Sequence, residues 1–399
     1  MIYLDSGATT LEKPPAVARA MARAVGEMSS PGRGNYPASQ KAARTAYDCR
    51  EAAAALFHVP SPEQVIFTCN ATHGLNIAIR TLVRPGGRVA VSGYEHNAVT
   101  RVLHSIPGVE IMVADAPLYR PEQMLEGFRT ALRRGVDAVI CNHVSNVFGC
   151  VQPVGELAGL CRQARTPLIV DASQSAGILP VLLADWGAAF VAMPGHKGLY
   201  GPQGTGLLLC GAEARPLLFG GTGSASRRQT MPADLPDRLE AGTHNMPGIA
   251  GLLEGLRFIS HTGTERIAQW ERRLTRRAED GLTRMPGVEV FADKTGQNQT
   301  GVLSFRVKGL DCEQVGEELA RRQIAVRAGL HCAPLAHRTA GTLETGTIRI
   351  SPSVFNSKGQ IDLFLREMSG IRRENTEKSL EFLLLFSENL YIISITYGI

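Results

Sequence analysis

The chain has 399 residues, 44% of them hydrophobic and 20% charged, with 42 basic against 37 acidic side chains and a net charge of +5. That length and apolar content suffice for two domains, or for one large domain with a smaller partner. No Lys/Arg block and no basic stripe interleaved with aromatics appears, and the RRQ at 321–323 and the ERRLTRRAED at 271–280 read as solvated, mixed-charge helix faces, which argues against a nucleic-acid partner.

The chain opens with MIYLDSGATT, which has neither a basic leader nor an apolar h-region, and its eight cysteines include no CxxC pair and no zinc-finger spacing. These features predict a reducing, cytoplasmic setting and no metal site. From Val65 to Cys210 seven short apolar runs follow one another: VIFTC, RVAVS, VEIMV, VDAVIC, PLIVDA, AAFVAM and TGLLLC. Continuous rather than alternating apolar runs predict strands buried on both faces, as in a mainly parallel sheet covered by helices. The stretch 154–165 supplies one such helix, with Val154, Leu157, Ala158 and Cys161 on one face.

From about Glu254 a long amphipathic helix is expected, then GVEVF, GVLSFRV, a helix over 311–323, IAVR and TIRIS, an order that suggests a smaller α+β domain. Leu380 to Ile399 has about the length of a membrane span, but its central Ser387, Glu388 and Asn389 would be costly in a bilayer. It reads as an apolar appendage, with no membrane partner expected.

Ligands of open α/β sheets bind beyond the carboxyl ends of the strands, so the residues there carry the functional reading. After VIFTC comes NATHGLN, where Asn70 to Thr72 form either a plain helix cap or a phosphate cradle at a helix N-terminus. His96 follows RVAVS and is either structural or stacked on an aromatic cofactor where it exchanges protons. Asn146 follows VDAVIC, as a turn residue or a ligand contact. Asp171 closes PLIVDA with Gln174 three residues on; it is either a helix N-cap or the partner of a protonated pyridine nitrogen. His196 and Lys197 sit in PGHKGLYGPQGTG, which fits neither a dinucleotide nor a Walker phosphate motif. Cys332 sits far downstream in IAVRAGLHCAPLAH. An amine able to form a Schiff base and a nucleophilic thiol are the two groups needed to strip sulfur from an amino acid with pyridoxal phosphate.

The order THG, EH, VSN, VDASQ, GHK, AGT, RAGLHC and RIS, running from Tyr3 to about Arg372, resembles the class V aminotransferase-like enzymes of pyridoxal phosphate fold type I, and within them the cysteine desulfurases. The resemblance implies an α/β large domain with a mainly parallel seven-stranded sheet over 15–256, a small α+β domain from 1–14 and 257–375, and an appendage at 376–399. It implies pyridoxal 5'-phosphate bound by Lys197, with Asp171 on the pyridine nitrogen, Gln174 on the phenolic oxygen, His96 against the ring and Asn146 beside cofactor and substrate. Thr72 and His196, with Ala71, would hold the phosphate, joined by Thr222, Gly223 and Ser224 of a second subunit in a homodimer. Arg349 would hold the substrate carboxylate as a bidentate fork. Cys332 would take the sulfur of L-cysteine as a persulfide, leaving alanine, and pass it to a protein acceptor; Arg327 or His331 is placed to favour its thiolate.

Three departures mark a divergent branch: Pro194 and Gly195 stand where many members have a serine-containing run, Gly198 is extra, and NATHG replaces a more usual Thr-Glu pair. The short stretch from Cys332 to Arg349 resembles the short-loop second group. A selenocysteine lyase, another class V aminotransferase or lyase, and a non-catalytic sulfur-carrier scaffold are the alternative readings.

Overall fold

The computed structural model describes residues 1–32 and 34–372, so the appendage read at 376–399 lies outside the described residues. Strands are numbered in chain order: β1 (Ile2–Tyr3), β2 (Val65–Thr68), β3 (Arg88–Ser92), β4 (Glu110–Ala114), β5 (Ala138–Asn142), β6 (Leu168–Asp171), β7 (Phe190–Pro194), β8 (Gly206–Cys210), β9 (Val288–Phe291), β10 (Leu303–Val307), β11 (Ile324–Ala325), β12 (Arg327–Gly329) and β13 (Thr347–Ile350).

All seven apolar runs are strands of one sheet, in the order β2-β8-β7-β6-β5-β3-β4. The pairs from β7 through β4 are parallel, while β8 runs antiparallel to both β7 and β2. A parallel return needs a crossover of a dozen or more residues, usually a helix, and the glycine-rich link from Gly195 to Thr205 holds none, so β8 folds straight back. Every residue of β5 to β8 is buried, which explains why those runs are apolar without alternation. Because β2 and β7 both oppose β8, the carboxyl ends of β2, β3, β5, β6 and β7 share one edge of the sheet.

The second half builds an antiparallel sheet, β12-β13-β10-β9, over a separate apolar cluster that includes Leu274, Leu303, Phe305, Ile348 and Phe364. The helix expected from Glu254 instead begins at Met246 and is divided in two, Met246–Thr262 and Thr264–Thr283. Gly263, with φ +89°, ends the first helix, a conformation that costs glycine nothing. The N-terminal β1 pairs in parallel with β11, and Asp5 continues the pairing against Ser351. Residues 5 to 10 thus pass between the two sheets. Among the described residues no helix is long and apolar enough to cross a membrane.

Candidate active site

The shared edge of carboxyl ends opens onto a cavity of about 230 Å³ whose walls include Ala71, Thr72, His96, Asn146, Asp171, Gln174, His196 and Lys197. The eight come from five different strand ends.

At the end of β2 the chain turns into the helix Ala71–Leu82, and the side chain of Asn70 caps it by accepting from the His73 N–H at 2.9 Å. Asn70, Ala71 and Thr72 face the cavity, so the positive end of a 12-residue helix points into it.

His96 caps the next helix, Asn97–His104, its Nδ1 accepting from the Ala98 N–H at 3.0 Å. Nδ1 is therefore the acceptor and the proton of the neutral ring sits on Nε2. Burial, with Lys197 nearby, lowers its pKa to about 4 although Asp171 pulls the other way, so the ring is neutral at physiological pH.

Asp171 is 4% exposed. Its Oδ1 accepts from the main-chain N–H of Ser173 at 2.9 Å and from the Ser173 hydroxyl, while Oδ2 has no hydrogen bond among the described residues. Burial lowers the pKa of Lys197 to about 8 against the attraction of Asp171, which keeps a neutral amine accessible near physiological pH. Gln174 spends one Nε2 hydrogen on the Gly7 carbonyl at 2.9 Å and has a second to offer. The turn bearing Lys197 is tied down by the Tyr200 N–H, which donates to the Lys197 carbonyl at 2.9 Å, and by Thr10, whose N–H and hydroxyl both donate to the His196 carbonyl at 3.0 Å. A methyl group at Gly198 would stand 2.3 Å from the Ala176 carbonyl oxygen, so the extra glycine lets two backbones touch behind Lys197.

Arg349 is buried outside the cavity wall, with Nη1 donating to the Asn146 carbonyl at 2.7 Å and Nη2 to Asp5 at 2.8 Å. The Asn146 side chain in turn donates to the His331 carbonyl at 2.8 Å. Cys332 is exposed, on the tight turn between β12 and the helix Pro334–Thr339, and its carbonyl accepts from the Asn97 N–H at 2.8 Å. The thiol-bearing turn is thus fastened to two residues flanking the cavity, Asn97 and Asn146. His331 does not serve as a cation for that thiol: burial and the neighbouring Arg349 push its pKa well below the ordinary histidine range, and its ring stacks on His337. Of the two groups expected to favour the thiolate, Arg327 alone carries charge.

Thr222, Gly223 and Ser224 lie away from this cavity. Thr222 and Gly223 line a separate one of about 620 Å³ with Arg50, Glu240 and His244, and the Ser224 hydroxyl lies 3.2 Å from that of Thr222. Sequence reading missed Asp5. The signal was present: a carboxylate closing the apolar IYLD is as unexpected as Asp171 closing LIVD.

Two buried polar atoms of the cavity wall, Asn146 Oδ1 and His196 Nδ1, lack a partner among the described residues, and Arg349 Nε, behind that wall, lacks one as well. Unsatisfied buried groups are rare, and each calls for an explanation such as a catalytic role or a bound partner. With the free Asp171 oxygen, the amine of Lys197 and a helix N-terminus, they fit a flat, anionic, nitrogen-containing ring such as pyridoxal phosphate.

Fold and site define a pyridoxal phosphate enzyme of the aminotransferase class. The class-V aminotransferase family model matches residues 2–364, and the chain belongs to that family. It is 32% identical to a probable cysteine desulfurase of Methanothermobacter thermautotrophicus, with 93% of this chain and 95% of the relative covered. Among solved structures it superposes on the apo cysteine desulfurase of Thermococcus onnurineus with a TM-score of 0.84 at 29% identity, covering 93% and 94% of the two chains. The cysteine desulfurase CsdA of Escherichia coli, in an S-sulfonic acid form, gives a TM-score of 0.78 at 26% identity over 95% and 94%.

Proposed function

We propose that this protein is a pyridoxal phosphate-dependent cysteine desulfurase that converts L-cysteine to L-alanine and carries the sulfur on Cys332 to a protein acceptor. The observation that carries the reading is the fastening of the Cys332 turn, through Asn97 and Asn146, to the rim of the cavity that Lys197 lines.

Lys197, Asp171, Gln174, His96, Ala71, Thr72 and His196 would hold the cofactor. When bound, it supplies a sink for the electron pair left behind when the substrate loses its Cα proton. Lys197 takes that proton, a role for which a lysine lowered to about 8 is suited because its neutral form is abundant near pH 7 to 8. Arg349 anchors the substrate carboxylate, its buried Nε being the donor without a partner. The Cys332 thiolate attacks the substrate sulfur: an S–S bond forms, the Cβ–S bond breaks, its electron pair stays with Cβ, Cβ takes up a proton, and Lys197 returns to Cα the proton it took, which completes alanine. His96 holds a proton on Nε2 at the cavity wall and is the nearby donor of this reading.

In the same proposal the protein acts as a cytoplasmic homodimer in which Thr222, Gly223 and Ser224 reach the partner's phosphate. Residues 15–256 form the cofactor domain and residues 1–14 with 257–375 the smaller one. The test is alanine and persulfide production by the wild type and Cys332→Ala. The variant is expected to keep the visible absorbance of the bound cofactor and lose both products; full turnover by Cys332→Ala sinks the assignment.

A further inference from the structure

Arg327 and Arg349 are direct partners on the antiparallel strands β12 and β13. Like charges opposite one another on a sheet repel, and Arg349, at 2% exposure, has almost no water to screen it. A single carboxylate answers both. Asp5 accepts from Arg349 Nη2 at 2.8 Å through Oδ1 and from Arg327 Nη2 and Nε at 2.9 and 3.0 Å through Oδ2. Asp5 is itself 6% exposed, and its segment is pinned: the N–H groups of Ser6 and Gly7 donate to the carbonyl and hydroxyl of Ser351 at 2.9 and 2.7 Å. Arg327 opens the strand β12 that runs into the Cys332 turn, and its carbonyl lies 3.3 Å from Nε2 of His331, the residue before Cys332.

We propose that Asp5 is a positioning residue that couples the substrate anchor Arg349 to the charge presented to Cys332, its one carboxylate being shared between two guanidinium groups. This rests on the reading of Arg349 as anchor and Cys332 as nucleophile. With Asp5 on Nη2 and the Asn146 carbonyl on Nη1, the guanidinium plane is fixed and its unpartnered Nε is left for a ligand. A substrate carboxylate arriving at Arg349 supplies the anion that Asp5 had supplied, and the Asp5 charge then falls more fully on Arg327. Occupancy of the anchor thereby reaches the sulfur-accepting turn through charge alone, with no proton or bond exchanged.

The test uses the loaded enzyme and two readouts: KM and kcat for L-cysteine, and the rate at which iodoacetamide alkylates Cys332 without substrate, followed on the Cys332 peptide. Asp5→Asn is expected to raise KM about tenfold with a smaller change in kcat, the loss of one charge-assisted hydrogen bond to the anchor. It is expected to speed alkylation about threefold, because Arg327 then faces the thiol without its carboxylate. Arg327→Gln should move alkylation the other way with KM nearly unchanged, and it decides the matter if Asp5→Asn does not fold. Equal alkylation rates in both variants and the wild type overturn the coupling; an unchanged KM in Asp5→Asn overturns the positioning of Arg349. An unchanged KM in Arg349→Gln refutes the anchor reading itself, and the alkylation contrast then still decides for or against Asp5.

Discussion

The Asn97 N–H donates to the carbonyl of Cys332 at 2.8 Å, joining the first residue after His96 to the residue that carries the thiol. The bond holds an unfavourable backbone: His331 and Cys332 both lie in the left-handed region, at φ 53° and 55°. Side chains other than glycine visit that region rarely, at a cost of about 1 kcal/mol or more each. The turn keeps this form because its carbonyls are held from outside, by Asn97 and by the side chain of Asn146.

Asn97→Pro tests this hold, at the added loss of the long bond in which the Thr100 hydroxyl donates to Asn97 Oδ1 at 3.3 Å. Position 97 is the first residue of its helix, where proline is well tolerated, and His96 before it is already extended, as the residue preceding a proline must be. The substitution removes the N–H donor, a bond worth about 1 kcal/mol. Persulfide formation should fall about fivefold while cofactor absorbance and thermal stability stay near wild type. Unchanged persulfide formation would show that the turn needs no such tether.

The desolvated amine of Lys197 makes cofactor capture depend on pH. Only neutral Lys197 can capture the cofactor, and burial lowers its pKa to about 8 from the 10.5 of a free lysine. Capture of pyridoxal phosphate by the apoenzyme, followed by visible absorbance, should therefore rise with pH through a midpoint near 8 and level off above it. A rise that continues toward 10.5 would mean that the amine stands in water.

The strands and most of the cavity wall were legible because burial on both faces leaves its mark as unbroken apolar runs, and because chemistry in such sheets gathers at the carboxyl ends. Asp171, His96 and Lys197 were found by that rule. The partnership of Asp5 with Arg349 was not, since it joins residues 344 apart in the chain, and no local pattern announces which far strand an N-terminal segment will pair with. The neutrality of His331 was equally hidden, because it depends on how deeply the turn is buried rather than on its neighbours in sequence. The glycine that splits the helix at 263 was visible as a residue, but its role there depends on where the second helix must lie to cover β9 and β10.

Glu271 yields a pH prediction. It is 4% exposed on the helix Thr264–Thr283, its one side-chain partner among the described residues is the Tyr200 hydroxyl at 3.4 Å, and burial raises its pKa to about 8 from 4.5. Between those two values the folded protein holds a proton that the unfolded chain has released, so stability falls as pH rises through that window. Glu271→Gln removes this proton uptake and keeps the shape. Its melting temperature should drop less than that of the wild type between pH 6 and 8, by a few degrees, about 2–4 °C. Parallel melting curves across that range would show that the carboxyl is ionised in the fold.

Gly198 and Gly159 make a matched pair for testing how tightly the Lys197 turn is built. A methyl group at 198 would meet the Ala176 carbonyl oxygen at 2.3 Å and Ile178 Cγ1 at 3.2 Å, and a backbone carbonyl cannot swing aside as a side chain can. Gly198→Ala should therefore cost about 1–3 kcal/mol, the usual range for overpacking, and because the neighbouring residue is Lys197 the strain falls on the amine. Cofactor affinity should weaken about tenfold. Gly159, inside the helix Val154–Ala164, has nothing within 4 Å of a would-be methyl group. Gly159→Ala should gain up to about 1 kcal/mol from helix propensity and leave cofactor affinity unchanged. If Gly198→Ala binds pyridoxal phosphate as tightly as Gly159→Ala does, then the close backbone contact behind Lys197 does not set the position of the amine.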